Sequence, residues 1–408
     1  MVGDDSVSRL MELLPLYDNF AAEVLRPFFA EDPLEFALDE ICREAFDFPV
    51  PLIPLESGTS LLELFHGPTA AFKDFGARFL ARCFERLVAH SNGGSLAILV
   101  ATSGDTGAAV AAACHGRPGM RVGVLFPKGG VAPRQEQQLT CWDGNVTSFA
   151  VRGTFDDCQR LAKEAFASWR TATVGQSGLG SHERLTSANS INIGRLLPQI
   201  VYYAWASLSY GREHGVAPGF VVPSGNVGNA VGALWAKAMG FPVGHIAIAT
   251  NANRTVPDWF ATGDWEPRPS VPTLANAMDV GDPSNMERVF AMYRGPEEAL
   301  RDLSVHSTDD DGIRASVRSA HRRWGRTVCP HTATALSYRD ELPGPDWIVV
   351  ATAHPAKFNE IVEPLVGEAV DVPRSLAELL ARPSRVTEIE AEIDALSEHW
   401  GIAGIRPS

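Results

Sequence analysis

The chain has 408 residues, 45% of them hydrophobic, and a formal net charge of -14. That length buries a sizeable core and suits two lobes better than one. The acidity argues against nucleic acid or an anionic membrane surface as partner, and no apolar run approaches the roughly 18 residues of a membrane span.

At the N-terminus, Met1-Val2-Gly3-Asp4-Asp5 lacks a basic region followed by an apolar core, so a cytoplasmic protein is expected. Residues 6–48 carry helix-like apolar spacing through Leu10, Leu13, Leu14, Leu25, Phe28 and Phe29, which predicts an N-terminal helical segment over residues 1–50. From about residue 60, strand candidates at 61–65, 96–101, 121–126, 146–151, 219–222, 245–250 and 347–351 alternate with helical patterns. Such alternation predicts an α/β protein with mainly parallel sheets, more than one of them. Pro/Gly-rich stretches at 264–272 and 281–284 are expected to be ordered loops. Residues 386–400 place Val386, Ile389, Ile393, Leu396 and Trp400 on one face of an expected C-terminal helix. The six cysteines show no C-x-x-C spacing and are read as reduced packing residues, and no histidine spacing suggests a metal site.

Five short stretches carry possible chemistry. In Phe65-His66-Gly67-Pro68-Thr69-Ala70-Ala71-Phe72-Lys73-Asp74-Phe75-Gly76, one lysine sits in an apolar, Gly/Pro-bounded bend before a helix expected from about Asp74. The helix, whose apolar stripe is Phe75, Phe79, Leu80, Cys83 and Leu87, points its positive end at Lys73 and favours a neutral, imine-forming amine. A snorkelling lysine at a helix start is the alternative. Ala101-Thr102-Ser103-Gly104-Asp105-Thr106-Gly107 joins a strand to a small-residue helix. It offers donors to an anion, or simply caps the helix.

Val221-Val222-Pro223-Ser224-Gly225-Asn226-Val227-Gly228-Asn229 forms a second strand-to-helix turn, with glycines that allow close approach of a phosphate. Its spacing is not G-x-G-x-x-G, and the strand 245–250 runs into Asn251 rather than an acid, so a single phosphate fits better than a dinucleotide. Thr352-Ala353-His354-Pro355-Ala356-Lys357-Phe358 follows the apolar run 347–351. There Thr352 can bond a ring nitrogen without bringing charge, while His354 and Lys357 read equally as solvated or packed groups. Ser187-Ala188-Asn189-Ser190-Ile191-Asn192-Ile193-Gly194-Arg195 supplies amides and an arginine fork for a phosphate or carboxylate, or an N-capped helix with a surface arginine.

Taken together and in order, these stretches and Asn276-Ala277-Met278-Asp279 resemble threonine synthases over about residues 20–370. The resemblance implies a fold-type-II pyridoxal 5'-phosphate enzyme, with two open α/β lobes. Residues 51–408 would form the catalytic region, with a smaller lobe of approximately 90–185 inserted in a larger one. It implies conversion of O-phospho-L-homoserine and water to L-threonine and phosphate by γ-elimination and β-addition of water. Lys73 would be the imine-forming lysine, Gly225, Asn226, Val227, Gly228 and Asn229 the cofactor-phosphate cup, and Thr352 the partner of the pyridine nitrogen. Ser103, Asp105 and Thr106 would line the substrate side, with Asn189, Asn192 and Arg195 meeting substrate anions. The implied partner is a small amino-acid substrate, and the assembly a monomer or homodimer. The chain departs from the family pattern at Val227, Gly130, Ala132 and Gln137, and lacks about thirty residues of the family's usual N-terminal region. A relative acting on another γ- or β-substituted amino acid is the second reading, and a catalytically idle binding protein on the same fold the third.

Overall fold

A computed structural model describes residues 10–56, 58–91, 94–174 and 183–401. The expectation drawn from Met1 to Asp5, and the first residues of the 6–48 pattern, lie outside them. The chain forms two compact units, Met1–Gly76 with Leu196–Val372, and Ala77–Arg195 with Pro373–Ser408. The smaller unit is thus wider than 90–185, and it takes in the C-terminal segment that the sequence reading left with the larger lobe.

In the larger unit the helices Tyr17–Leu25 and Leu38–Ala45 realise the N-terminal helical segment. Leu10, Leu14, Leu25 and Phe29 are buried there, whereas Phe28 is exposed. The sheet contains β1 (Leu52–Pro54), β2 (Thr59–Glu63), β7 (Gly219–Pro223), β8 (Ile246–Thr250), β9 (Leu303–Ser307) and β10 (Trp347–Ala351), in the order β1-β2-β10-β7-β8-β9. Only the β1–β2 pair is antiparallel. β7, β8 and β10 are buried along their whole length, as expected of strands covered on both faces. Their carboxyl ends lie along one sheet edge, where α/β proteins hold ligands.

The smaller unit is built on a fully parallel sheet of β3 (Ser95–Ala101), β4 (Met120–Pro127), β5 (Val146–Arg152), β6 (Glu183–Ser187) and β11 (Thr387–Glu390), ordered β11-β5-β4-β3-β6. Alternation along β4 sends Val122, Val124 and Phe126 into one apolar cluster and Leu125 into the other. Gly123 leaves room for the Trp400 indole, since a Cβ there would lie 2.8 Å from the ring. The expected helix over 386–400 divides into strand β11 and the helix Ile393–Trp400. Ile389 packs as a strand residue, and Val386 is exposed.

The seven strand candidates occur within two residues of their expected bounds, and a helix follows each glycine turn. The helix after the lysine bend runs Lys73–His90. It buries Phe75, Phe79, Leu80 and Cys83 but leaves Leu87 exposed. All six cysteines are buried and free. Among the described residues no helix is long and apolar enough to cross a membrane.

Candidate active site

In the larger unit the lysine bend is laid along the chain that leaves β10. The Leu64 N–H donates to the Ala351 carbonyl, the His354 N–H to the Ala70 carbonyl at 3.0 Å, and the Phe72 N–H to the Thr352 carbonyl at 2.8 Å. Ala71 and Ala353 form an antiparallel bridge. Gly67 is needed because a Cβ would lie 2.5 Å from Asp74 Oδ2. Ala70 takes a left-handed φ of 55°, costing roughly 1–2 kcal/mol for a residue with a Cβ. Lys73 opens its helix half-buried, with Nζ 4.4 Å from the centre of the Phe72 ring. Thr352 is buried, and its N–H lies 3.4 Å from the Thr332 hydroxyl.

The residues after Thr352 are packed rather than solvated. His354 Nδ1 accepts the Ala356 N–H at 3.2 Å, and burial, reinforced by nearby His66, pushes the imidazole down to about 4. Lys357 is completely buried.

The second glycine turn stands at the end of the neighbouring strand β7, whose register with β10 pairs Val221 with Val349. A Cβ on Gly225 would lie 2.6 Å from Met278 Cα, so the turn closes tightly on the Asn276–Met278 turn. Asn226 Oδ1 accepts the Ser284 N–H at 2.7 Å, which ties the turn to the loop 281–284. Val227, fully buried, caps the helix Gly228–Met239 at φ 62°, a strained conformation for a β-branched residue. Asn229 Oδ1 accepts the hydroxyls of Tyr202 at 2.6 Å and Tyr203 at 2.8 Å. Its Nδ2 is buried with no hydrogen-bond partner.

One chain of contacts joins the two halves of this site. The ring of Phe75, two residues after Lys73, meets Tyr202 edge-on at 5.3 Å, and Tyr202 holds Asn229. Behind Met278, Asp279 accepts from the Thr273 hydroxyl and the Asn251 amide, both at 2.7 Å. Burial raises its carboxyl to about 6 despite these donors. The His331 Nε2 accepts the Ala277 N–H at 3.1 Å, fixing the same turn from another side.

A pyridoxal phosphate fits these residues. The orphaned Asn229 amide, the N-terminus of a twelve-residue helix and a glycine turn that no side chain can enter together suit a phosphate. A lysine half-buried against an aromatic ring and a buried threonine then stand at the adjoining strand end.

In the smaller unit the first glycine turn caps its own helix. Thr102 Oγ1 accepts the N–H groups of Gly104 at 3.0 Å and Gly107 at 2.9 Å. Ser103 and Thr106 are half-buried, while Asp105 is buried and accepts from Gln135 Nε2 at 2.9 Å. Gly104 has φ 135°, and a Cβ there would strike the Gln135 amide. In the loop after β6, Asn189 Nδ2 donates to the Ala101 carbonyl at 2.8 Å and Asn192 Nδ2 to the Ser187 carbonyl at 3.0 Å. Arg195 is 1% exposed, with Nη1 on the Ala188 carbonyl. Of the two readings of Arg195, the surface arginine is set aside, because the guanidinium is buried against its own loop. Gln137, one of the departures, donates to the Arg382 carbonyl in the C-terminal segment.

Sequence reasoning passed over Tyr202, Tyr203, Met278 and Gln135. The tyrosine pair lies in an apolar helical pattern that reads as core, and the signal for Met278 was its motif, to which no role was attached.

A family model described as pyridoxal-phosphate dependent enzyme matches residues 49–353, and one described as threonine synthase, C-terminal, matches residues 328–399. Threonine synthase from Escherichia coli (strain K12) is 41% identical over 394 residues, covering 96% of this chain and 89% of that protein. The crystal structure of threonine synthase from Escherichia coli aligns with TM-score 0.87 at 39% identity, over 97% of this chain and 90% of the other. A PLP-bound threonine synthase from Brucella melitensis aligns with TM-score 0.86 at 31% identity, over the same shares.

Proposed function

The chain belongs to the threonine synthase family of pyridoxal-phosphate-dependent enzymes, fold type II, and from that premise we propose how its residues divide the work of converting O-phospho-L-homoserine and water to L-threonine and phosphate. The observation that carries the reading is the pairing of the Lys73 bend with the Thr352 strand end, beside a glycine turn that holds an unpartnered buried amide.

The cofactor, when bound, supplies a ring that accepts the electrons released when a carbon–hydrogen bond next to the substrate nitrogen breaks. Lys73 would be the amine that holds the cofactor, and its free amine would be the base that takes the α-proton and then a β-proton. The N–H groups of Gly225 to Asn229 and the Asn229 amide bind the cofactor phosphate. The Thr352 hydroxyl meets the pyridine nitrogen without bringing a charge. In the smaller unit Ser103 and Thr106 are the substrate-side hydroxyls, and Asn189 and Asn192 keep that loop in place. Asp105 and Arg195 belong to the scaffold beneath them.

The net charge and the buried thiols support a cytoplasmic enzyme with no nucleic-acid partner. The deciding experiment adds O-phospho-L-homoserine to cofactor-loaded protein and measures phosphate and threonine. Equal amounts of both, absent in Lys73→Ala, are expected; an intact visible cofactor band without phosphate release would overturn the substrate assignment.

A further inference from the structure

Lys357 has no part in the roles assigned above, yet it is a fully buried lysine within the same unit as Lys73. Its Nζ donates to the Thr69 carbonyl at 2.9 Å. Thr69, also fully buried, gives its N–H to Asp74 Oδ2 at 2.9 Å and its hydroxyl to Asp74 Oδ1 at 2.7 Å. Asp74 is 1% exposed and directly follows Lys73. One threonine is therefore held on its carbonyl side by a buried ammonium and on its N–H and hydroxyl by a buried carboxylate.

The next three residues continue the same zipper. Ala70 accepts from the His354 N–H, Ala71 bridges Ala353, and Phe72 donates to the Thr352 carbonyl. Lys357 adds a side-chain rung where the backbone rungs end, just ahead of the strained left-handed Ala70. Stability alone does not call for a lysine there, since buried ionic groups are often matched or surpassed by apolar residues of similar volume. An ammonium does offer what an apolar side chain cannot, a directed donor on a carbonyl four residues before the reacting amine.

We propose that Lys357, acting through Thr69 and Asp74, is a positioning residue that sets the backbone of the bend and thereby the direction of the Lys73 amine. The inference rests on Lys73 as the cofactor-holding amine. Without this clamp the left-handed turn at Ala70 relaxes, and Lys73 meets the cofactor in a spread of orientations while the phosphate cup is unchanged.

The test compares cofactor-loaded wild type, Lys357→Met, Thr69→Val and Thr69→Ser. Each is treated with borohydride, and the fraction of cofactor fixed on Lys73 is read by peptide mass spectrometry. The pH midpoint of the visible cofactor band, kcat, KM and the thermal midpoint are recorded alongside. Lys357→Met and Thr69→Val are expected to bind cofactor yet fix less of it on Lys73, with a displaced pH midpoint. Their kcat should fall by about 10- to 100-fold, the scale of a misplacement near 1 Å, with KM little changed. Thr69→Ser, which keeps the hydroxyl, should match wild type in all five readings. Wild-type fixation and midpoint in a folded Lys357→Met would overturn the role of Lys357, and Lys357→Leu takes its place if that variant does not fold. The same wild-type readings in a folded Thr69→Val would overturn the Thr69–Asp74 step of the clamp. Fixation of the wild-type cofactor at a residue other than Lys73 would instead overturn the assignment of Lys73.

Discussion

The two glycine turns answer the same local problem in opposite ways. Both join a parallel strand to a helix N-terminus, where backbone N–H groups lack intrahelical partners. In the smaller unit the Thr102 hydroxyl takes two of those groups, Gln135 satisfies Asp105, and the neighbouring Arg195 is folded over its own loop. Two N–H groups of that turn are thus met from within, while the Ser103 and Thr106 hydroxyls stay half-buried on the proposed substrate side. In the larger unit Val227 is held in a left-handed conformation and Asn229 keeps a buried amide without a partner. Strain and an orphaned donor are tolerated where something outside the chain completes the site. The difference supports our proposal that the second turn holds the cofactor phosphate.

The largest expected effect comes from removing the amine proposed to hold the cofactor beside this second turn. Lys73→Ala should lower kcat by about 100- to 10,000-fold, the range for a lost acid–base group, and abolish the visible band of the bound cofactor. A measured kcat near wild type would break the comparison at its centre. Gly225→Ala comes next. The added methyl meets Met278 backbone at 2.6 Å, and overpacking of about 1–3 kcal/mol translates to a cofactor dissociation constant raised by about 10- to 100-fold. Equilibrium dialysis with pyridoxal phosphate measures it.

A change in the first turn should act differently. Gln135→Leu removes the donor to buried Asp105 Oδ1, at a cost of about 1–3 kcal/mol in stability. The thermal midpoint should fall while cofactor affinity stays within error. Should cofactor affinity fall instead, the two turns are not as independent as their hydrogen bonds indicate.

What could be read from the sequence follows the same division. Buried parallel strands such as β7 and β10 announce themselves as apolar runs. β6, with Glu183-Arg184-Leu185-Thr186-Ser187, and β11, with Thr387-Glu388-Ile389-Glu390, are edge strands and too polar to stand out. The helical reading of 386–400 arose because Ile389 and Ile393 satisfy a helical spacing across a strand-to-helix break. Glycine turns were legible because glycine has few other uses between a strand and a helix. Which turn stays open was not, since the left-handed Val227 and the tyrosine pair holding Asn229 depend on residues far apart in the chain. Arg195 shows what residue type alone does not reveal: a side chain suited to anions is buried where its loop supplies a carbonyl acceptor.

The smallest effect concerns the strand end that carries Thr352. His354 is neutral in the folded protein, lowered to about 4 from an ordinary 6.5 chiefly by burial, and its Nδ1 accepts the Ala356 N–H. The unfolded chain therefore binds this proton first as pH falls, so the stability His354 contributes is present above about 6.5 and lost toward about 4. Its ring is partly exposed, and screening leaves a contribution of about 1 kcal/mol. Asp279 runs the other way, because its carboxyl is raised to about 6 from 3.8, and its contribution is present below 3.8 and lost as pH rises through about 6. The two overlap between about 4 and 6, so the wild-type profile alone does not separate them. His354→Asn does, since its Oδ1 can accept the Ala356 N–H in place of Nδ1 without titrating, while Asp279 is left as it was. The thermal midpoint of the variant should decline less steeply than that of wild type from pH 6.5 down to 4. Parallel declines would mean that the His354 ring is solvated, and that the strand end beside Lys73 is looser than its hydrogen bonds require.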